Sequence, residues 1–171
     1  MIQLKPFKSK AFLKESIAVA FKGDTELHQY HISPSDNIDD MVNHTYHTII
    51  DTAKEMKINY YAVVINGEVI GFTCIAPAYN WVYSFGINPE YRNKTVLLSW
   101  LNKVERIIAG DVYIYLYTKN TRAVDFFKKN NYTTAYDFLV FEANEPIAVL
   151  VKNQIPKIEH VHDLDFEHGL G

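Results

Sequence analysis

Residues 85–95 read Phe85-Gly86-Ile87-Asn88-Pro89-Glu90-Tyr91-Arg92-Asn93-Lys94-Thr95. The run from Trp81 to Ile87 is rich in strand formers and stops at Asn88-Pro89. Over residues 95–109, Leu97, Leu101, Val104 and Ile108 share one helical face, flanked by Trp100 and Ile107. Gly110 follows where a residue closing a helix belongs. The segment is thus a strand, a turn and a helix start. A helix N-terminus presents unpaired N–H groups and the positive end of a dipole, which suits phosphate. Arg92 and Lys94 add charge there. On the residues alone, the turn is either an anion cradle or an ordinary strand–helix turn with solvated basic side chains.

Upstream, Tyr60–Ile65 and Glu68–Ala76 are strand-like runs joined by Asn66-Gly67. Asn-Gly between two such runs marks a tight hairpin, because both turn positions need positive φ. Residues 2–7 alternate and read as a short first strand, and Phe12, Leu13, Ile17, Ala20 and Phe21 fall at helical spacing. A polar stretch from Gly23 to Ser35 contains His28, Tyr30 and His31. Ser35 or Asp36 then fits as an N-cap, with Asp39 and Asp40 near the positive end of the dipole. Ile38, Val42, Tyr46, Ile49, Ala53 and Met56 form the apolar stripe of that second helix. Downstream, Val112–Tyr117 is apolar on both faces, as in a strand covered on both sides. Asn120 or Thr121 can cap a short helix carrying Ala123, Phe126 and Phe127, closed by Asn130-Asn131. Tyr136–Phe141 and Ile147–Val151 complete the strands. The order predicts a mixed α/β domain with helices packed on a central sheet.

Composition narrows the function. The chain has 171 residues, enough for one domain, and 48% hydrophobic with 22% charged residues is ordinary globular usage. No apolar run approaches the roughly 18–20 residues of a membrane-spanning helix, and Met1 to Pro6 lacks the apolar core of a signal peptide. The single cysteine, Cys74, forms no internal disulfide and no zinc quartet, so a reducing, cytoplasmic setting is expected. With 17 basic and 20 acidic residues the net charge is −3, which gives no support for nucleic-acid binding. The twelve Tyr and ten Phe serve chiefly core and sheet packing.

Ile-Asn-Pro-Glu-Tyr-Arg-Asn-Lys at 87–94, followed by an amphipathic helix, resembles the V-x-P-E-Y-R-G-K-G-I-G segment of the GNAT acyltransferase superfamily. Residues 120–132, Asn-Thr-Arg-Ala-Val-Asp-Phe-Phe-Lys-Lys-Asn-Asn-Tyr, resemble that family's N-x-R-A-x-x-x-Y-E-K-x-G-F helix. The element order and the Asn66-Gly67 hairpin agree, and the resemblance covers nearly the whole chain. It implies a GNAT-like mixed sheet of about six to seven strands with helices on both faces, formed by residues 1–151. Residues 152–171 make an acidic, His-containing tail. The resemblance also implies transfer from acetyl-CoA or another acyl-CoA to an amine on a small molecule or peptide, by direct attack on the thioester. The strand before the motif would splay from its neighbour, and the backbone at Phe85 and Ile87 would pair with the pantetheine arm. The pyrophosphate would fall on Arg92, Asn93, Lys94, Thr95, Val96 and Leu97, with Asn120 beside the cofactor.

Two departures bear on catalysis. The family's R-x-x-G-x-G reads Arg92-Asn93-Lys94-Thr95-Val96-Leu97, without its glycines. A glycine lets backbone approach phosphate with no Cβ between; Val96 and Leu97 crowd that approach, and the Thr95 hydroxyl compensates in part. Phe127 stands where many family members place a Tyr that protonates the departing thiolate. Such acid catalysis is worth roughly 10²–10⁴ in rate, and a thiol of pKa near 8.5 already leaves fairly well. Tyr83, Tyr115, Tyr117 and Tyr132 are the substitutes to weigh. No general base stands out. Glu90 belongs to the turn, and His28, His31, His44 and His47 lie where this family often builds its acceptor site. His44 and His47 share a helix face and read as solvent-facing, with proton relay or metal binding as the sharper alternative. Cys74 reads as a core thiol. The missing glycines and Phe127 support a second reading, a GNAT-fold binding or structural module without catalysis. The tail, with His160 and His162 among carboxylates, reads as solvated, or as docking on a partner or on a second copy in a homodimer.

Overall fold

The computed structural model describes residues 1–27, 37–140 and 145–153. Among them, four α-helices pack on a seven-stranded sheet. The chain order is β1 (Ile2–Phe7), α1 (Lys10–Phe21), α2 (Ile38–Ala53), β2 (Asn59–Ile65), β3 (Glu68–Ala76) and β4 (Trp81–Ile87). It continues with α3 (Lys94–Ile108), β5 (Val112–Tyr117), α4 (Thr121–Lys129), β6 (Thr133–Val140) and β7 (Glu145–Lys152). In space the strands run β1-β2-β3-β4-β5-β7-β6. Every neighbouring pair is antiparallel except β4 and β5.

Helices cover both faces, as the order of elements predicts. On one face, Leu13, Ile17 and Phe21 of α1 and Met41, Val42 and Ile49 of α2 pack with Phe72 and Cys74. On the other, Val96, Trp100, Leu101 and Val104 of α3 and Phe127 of α4 pack with Val63, Val82 and Ile114. The indole N–H of Trp100 donates to the buried Thr73 hydroxyl at 2.9 Å, tying α3 to the centre of β3. Burial of such side chains is worth about 1.5–3 kcal/mol each, which is what holds short helices on the sheet.

Local signals place the ends of the elements. Asn66 and Gly67 both take positive φ, 51° and 80°, as a two-residue hairpin of this hand requires. Side-chain caps open all four helices: Ser9 accepts from Phe12 N, Asn37 from Asp40 N, Asn93 from Val96 N and Asn120 from Ala123 N. The second helix is thus capped by Asn37 rather than by Ser35 or Asp36; Ser35, Asp36, His28, Tyr30, His31 and the tail beyond Asn153 lie outside the described residues. At the end of α3 the left-handed residue is Ala109, with φ 52°, rather than Gly110. Gly110 is close-packed instead, since a Cβ there would lie 3.2 Å from the Asn80 side-chain amide. The expectation for Val112–Tyr117 also needs correction. Val112, Ile114 and Leu116 are buried, but Tyr113, Tyr115 and Tyr117 are only half-buried. For Tyr115 and Tyr117 the reason is the separation of β5 from β4 described next.

Candidate active site

Strands β4 and β5 pair over two positions only, Trp81 with Tyr113 and Val82 with Ile114. Beyond Val82 and Ile114 they diverge, so Tyr83–Ile87 and Tyr115–Tyr117 form the two arms of a fork. A cleft of about 460 Å³ opens between them, walled also by α2 and by the start of α4. Asn88 N–H donates to Ile70 O at 2.8 Å. In an antiparallel ladder alternate residues bond across to the partner. The even-numbered end of β4 therefore faces β3, and the backbone groups of Phe85 and Ile87 face the fork. A bulge shapes the apex. Cys74 pairs with Ser84 and Ile75 with Val82, leaving Tyr83 as the extra residue. The bulge lets Trp81, Tyr83 and Gly86 face the α1–α2 side while Phe85 and Ile87 face the α3–α4 side.

The turn from β4 to α3 is braced from behind. The buried Asn88 side chain donates to Val19 O (2.8 Å) and Lys22 O (3.3 Å) at the end of α1, and accepts from Glu90 N (3.0 Å). Glu90 thus takes part in turn structure through its amide. Arg92 folds back: Nε donates to Ile87 O at 2.8 Å, and Nη2 pairs with Asp24 at 2.6 Å. The Asp24 side chain is 3% exposed and that of Arg92 26%. Asn93 caps α3 by accepting from Val96 N at 3.0 Å. Phe85, Ile87, Arg92, Leu97 and Asn120 line the cleft, whereas Asn93, Lys94, Thr95 and Val96 form the first turn of α3 outside its wall. Phe85 lies against Trp100, with ring centroids 4.9 Å apart.

The far wall is rich in hydroxyls. Tyr83 Oη lies 2.7 Å from Thr52 Oγ1, and Thr52 donates to Thr48 O at 3.0 Å. A hydroxyl has one proton, so with both bonds made Tyr83 is the donor to Thr52 and its lone pairs remain to accept. Tyr83, Tyr115 and Tyr117 all line the cleft. Burial raises the pKa of each, and in Tyr117, where Tyr115 and Tyr83 add to it, the value is pushed up to about 12. Tyr132 is elsewhere: its hydroxyl donates to Glu105 at 2.9 Å, and burial followed by Glu105 drives its pKa far up. Phe127 is 1% exposed, packed edge-on against Phe85, Trp100 and Tyr132. Cys74 is fully buried and its thiol pKa is pushed up by that burial.

His44 lines the cleft, while His47 meets Tyr46 edge-on at 5.2 Å. Among the described residues, no group of three or more His, Cys, Asp or Glu comes together as a metal site. Nor is any helix among them long and apolar enough to cross a membrane. Several residues that shape the site escape notice in the sequence. Glu26 and Arg122 line the cleft from opposite sides and pair at 3.4 Å, and Lys119 joins them. Arg122 lies inside the quoted 120–132 segment, which is the one signal available for it; Glu26, Asp24 and Thr52 carry none.

The fork beside the start of α3 matches the splayed strand pair that the resemblance implies. The chain belongs to the acetyltransferase (GNAT) family, whose model matches residues 23–132. No curated protein sequence is a significant match. The fold is shared with the Salmonella typhimurium acetyl transferase that modifies the N-terminal serine of ribosomal protein L7/L12 (TM-score 0.65, 11% identity, 90% of this chain and 95% of that one). It is shared with an acetyltransferase of Thermus thermophilus (TM-score 0.64, 12% identity, 90% and 97% covered). The PaiA N-acetyltransferase of Thermoplasma acidophilum, solved in complex with coenzyme A, is likewise similar (TM-score 0.59, 17% identity, 90% and 99% covered).

Proposed function

We propose that this protein is an acyl-CoA-dependent N-acyltransferase that moves an acetyl or other acyl group onto a primary amine of a small molecule or peptide. The fork carries the proposal. It offers unpaired backbone groups at Phe85 and Ile87 to an extended amide-bearing arm, and it leads to the start of α3. Ile87 O already accepts from Arg92, so the remaining groups of Phe85 and the Ile87 N–H are the ones available. The amides of Lys94 and Thr95 at the first turn of α3 suit a phosphate. Asn120 uses Oδ1 as a cap and keeps its NH₂ to donate into the cleft. Cys74, single and buried, agrees with a cytoplasmic setting.

The acyl donor supplies a thioester; the amine attacks its carbonyl carbon, the C–N bond forms, the C–S bond breaks and the amine loses a proton to a base or to water. Phe127 cannot give a proton to the departing sulfur. Tyr117 is poorly matched for that transfer as well: at about 12, against an ordinary thiol near 8.5, full transfer runs uphill by about 5 kcal/mol. Its phenol serves the thiolate as a hydrogen-bond donor that keeps its own proton. Tyr83 has its proton on Thr52 and offers lone pairs, so its role is to receive an N–H of the incoming amine.

Thermal-shift titration with acetyl-CoA tests the proposal. A hundredfold excess over Kd stabilises by about 2.7 kcal/mol, a shift of several degrees for a chain of this size. No shift at millimolar acetyl-CoA and CoA refutes it. The second reading, a GNAT-fold module without catalysis, is favoured by one observation: Phe127 is locked into the core where an acid would serve. CoA release above background with any member of an amine panel rejects that reading.

A further inference from the structure

Resting on the acyltransferase reading above, we infer that the donor is recognised through its pantetheine arm and thioester, with little contribution from the nucleotide end of CoA. A pantetheine thioester lacking the nucleotide therefore serves as donor.

Three observations converge on this. First, the chain itself uses half of the amides at the start of α3. Asn93 N–H donates to Tyr91 O at 2.9 Å and Val96 N–H to Asn93 Oδ1 at 3.0 Å, which leaves Lys94 and Thr95. A diphosphate that sought the Val96 amide would have to displace the cap, a contact of the kind that holds a helix start in place. Second, side chains stand where close approach of phosphate needs none. Thr95 and Leu97 both carry a Cβ, and Leu97 turns into the cleft wall between the helix start and the fork. Third, the guanidinium best placed in sequence to meet the phosphates is tied down. Arg92 holds Ile87 O and the buried Asp24 carboxylate. Lys94 is exposed, and Arg122, 77% exposed, faces Glu26; an ionic contact from a solvent-exposed side chain is worth little. The fork, by contrast, is fully formed, and its open backbone groups match the amides of the arm rather than the nucleotide.

Isothermal calorimetry of the wild-type chain with CoA and with pantetheine, at about 0.15 M salt, tests the inference. The two dissociation constants are expected to agree within about tenfold. A variant restores the two glycines: Thr95→Gly with Leu97→Gly is expected to tighten CoA by at least about fivefold and to leave pantetheine within about twofold. CoA binding more than about tenfold tighter than pantetheine in the wild type overturns the inference while leaving the acyltransferase reading intact. So does a double variant that tightens both ligands alike or neither. If that variant fails to fold, the wild-type comparison decides. Binding of neither ligand refutes the acyltransferase reading itself.

Discussion

Replacing Asp24 or Arg92 by alanine opens the clasp behind the fork, and the two losses are expected to be unequal. The pair is short, 2.6 Å, but its partners are buried to different degrees, 3% exposed for Asp24 against 26% for Arg92. Breaking a buried pair from one side costs about 3–5 kcal/mol because the survivor keeps its desolvation penalty. Arg92→Ala strands the more buried charge and also removes the bond to Ile87 O, so it belongs at the upper end, about 4–5 kcal/mol. Asp24→Ala leaves a guanidinium that still reaches solvent and still holds Ile87 O, so about 2–3 kcal/mol is expected. The double variant is expected to cost less than the sum by at least about 1.5 kcal/mol. Urea unfolding of the four proteins supplies the cycle, with midpoints converted through a shared slope. The clasp also sets the path of the turn into α3, so both single variants are expected to weaken CoA binding. The reasoning fails if the two losses add within about 0.5 kcal/mol, or if Asp24→Ala proves the more damaging.

Three further outcomes follow from packing and titration. Gly71→Ala places a Cβ 2.1 Å from Gly86 O, so β3 and β4 must part; a loss of about 3 kcal/mol or more is expected in thermal unfolding, together with loss of CoA-dependent stabilisation. Trp100→Phe removes the donor to the buried Thr73 hydroxyl and leaves a void, with an expected loss of about 2–4 kcal/mol read by the same melt. Tyr117 is held neutral in the fold to about 12 but ionises near its ordinary 10 when unfolded. Its contribution is therefore full below pH 10 and is lost as pH rises from 10 to 12. Urea midpoints measured at pH 9, 10 and 11 are expected to fall, and Tyr117→Phe to flatten that fall; an unchanged slope in the variant rejects the assignment.

Element type and order follow from local chemistry, and that part of the fold can be read from residues near one another in the chain. Helical spacing in 97–108, the positive-φ demand of Asn66-Gly67 and asparagines before helical runs each act over a few residues. Even so, Ala109 rather than Gly110 takes the left-handed turn, and Gly110 is instead the place where Asn80, 30 positions away in the chain, packs close. The motif at 87–97 falls on the turn between β4 and α3, and the structure brings Phe85, Ile87, Leu97 and Asn120 to one cleft. It turns the Arg92 side chain away, onto a carboxylate 68 residues earlier in the chain.

What remained hidden in the residues is the place where two strands stop pairing. The resemblance implies that the strand before the motif splays from its neighbour, but nothing in Trp81–Ile87 or Val112–Tyr117 themselves marks that the ladder lasts two positions, or that Tyr83 is the extra residue of a bulge. Propensity and periodicity report what one segment prefers, and they are sufficient for the type and order of strands and helices, though not for every cap. A fork, a clasp such as Asp24–Arg92 and a hydroxyl relay from Tyr83 to Thr52 are relations between distant segments. They exist only once packing on both faces of the sheet has brought those segments to within a few ångströms, where charge and hydrogen-bond geometry can select among partners.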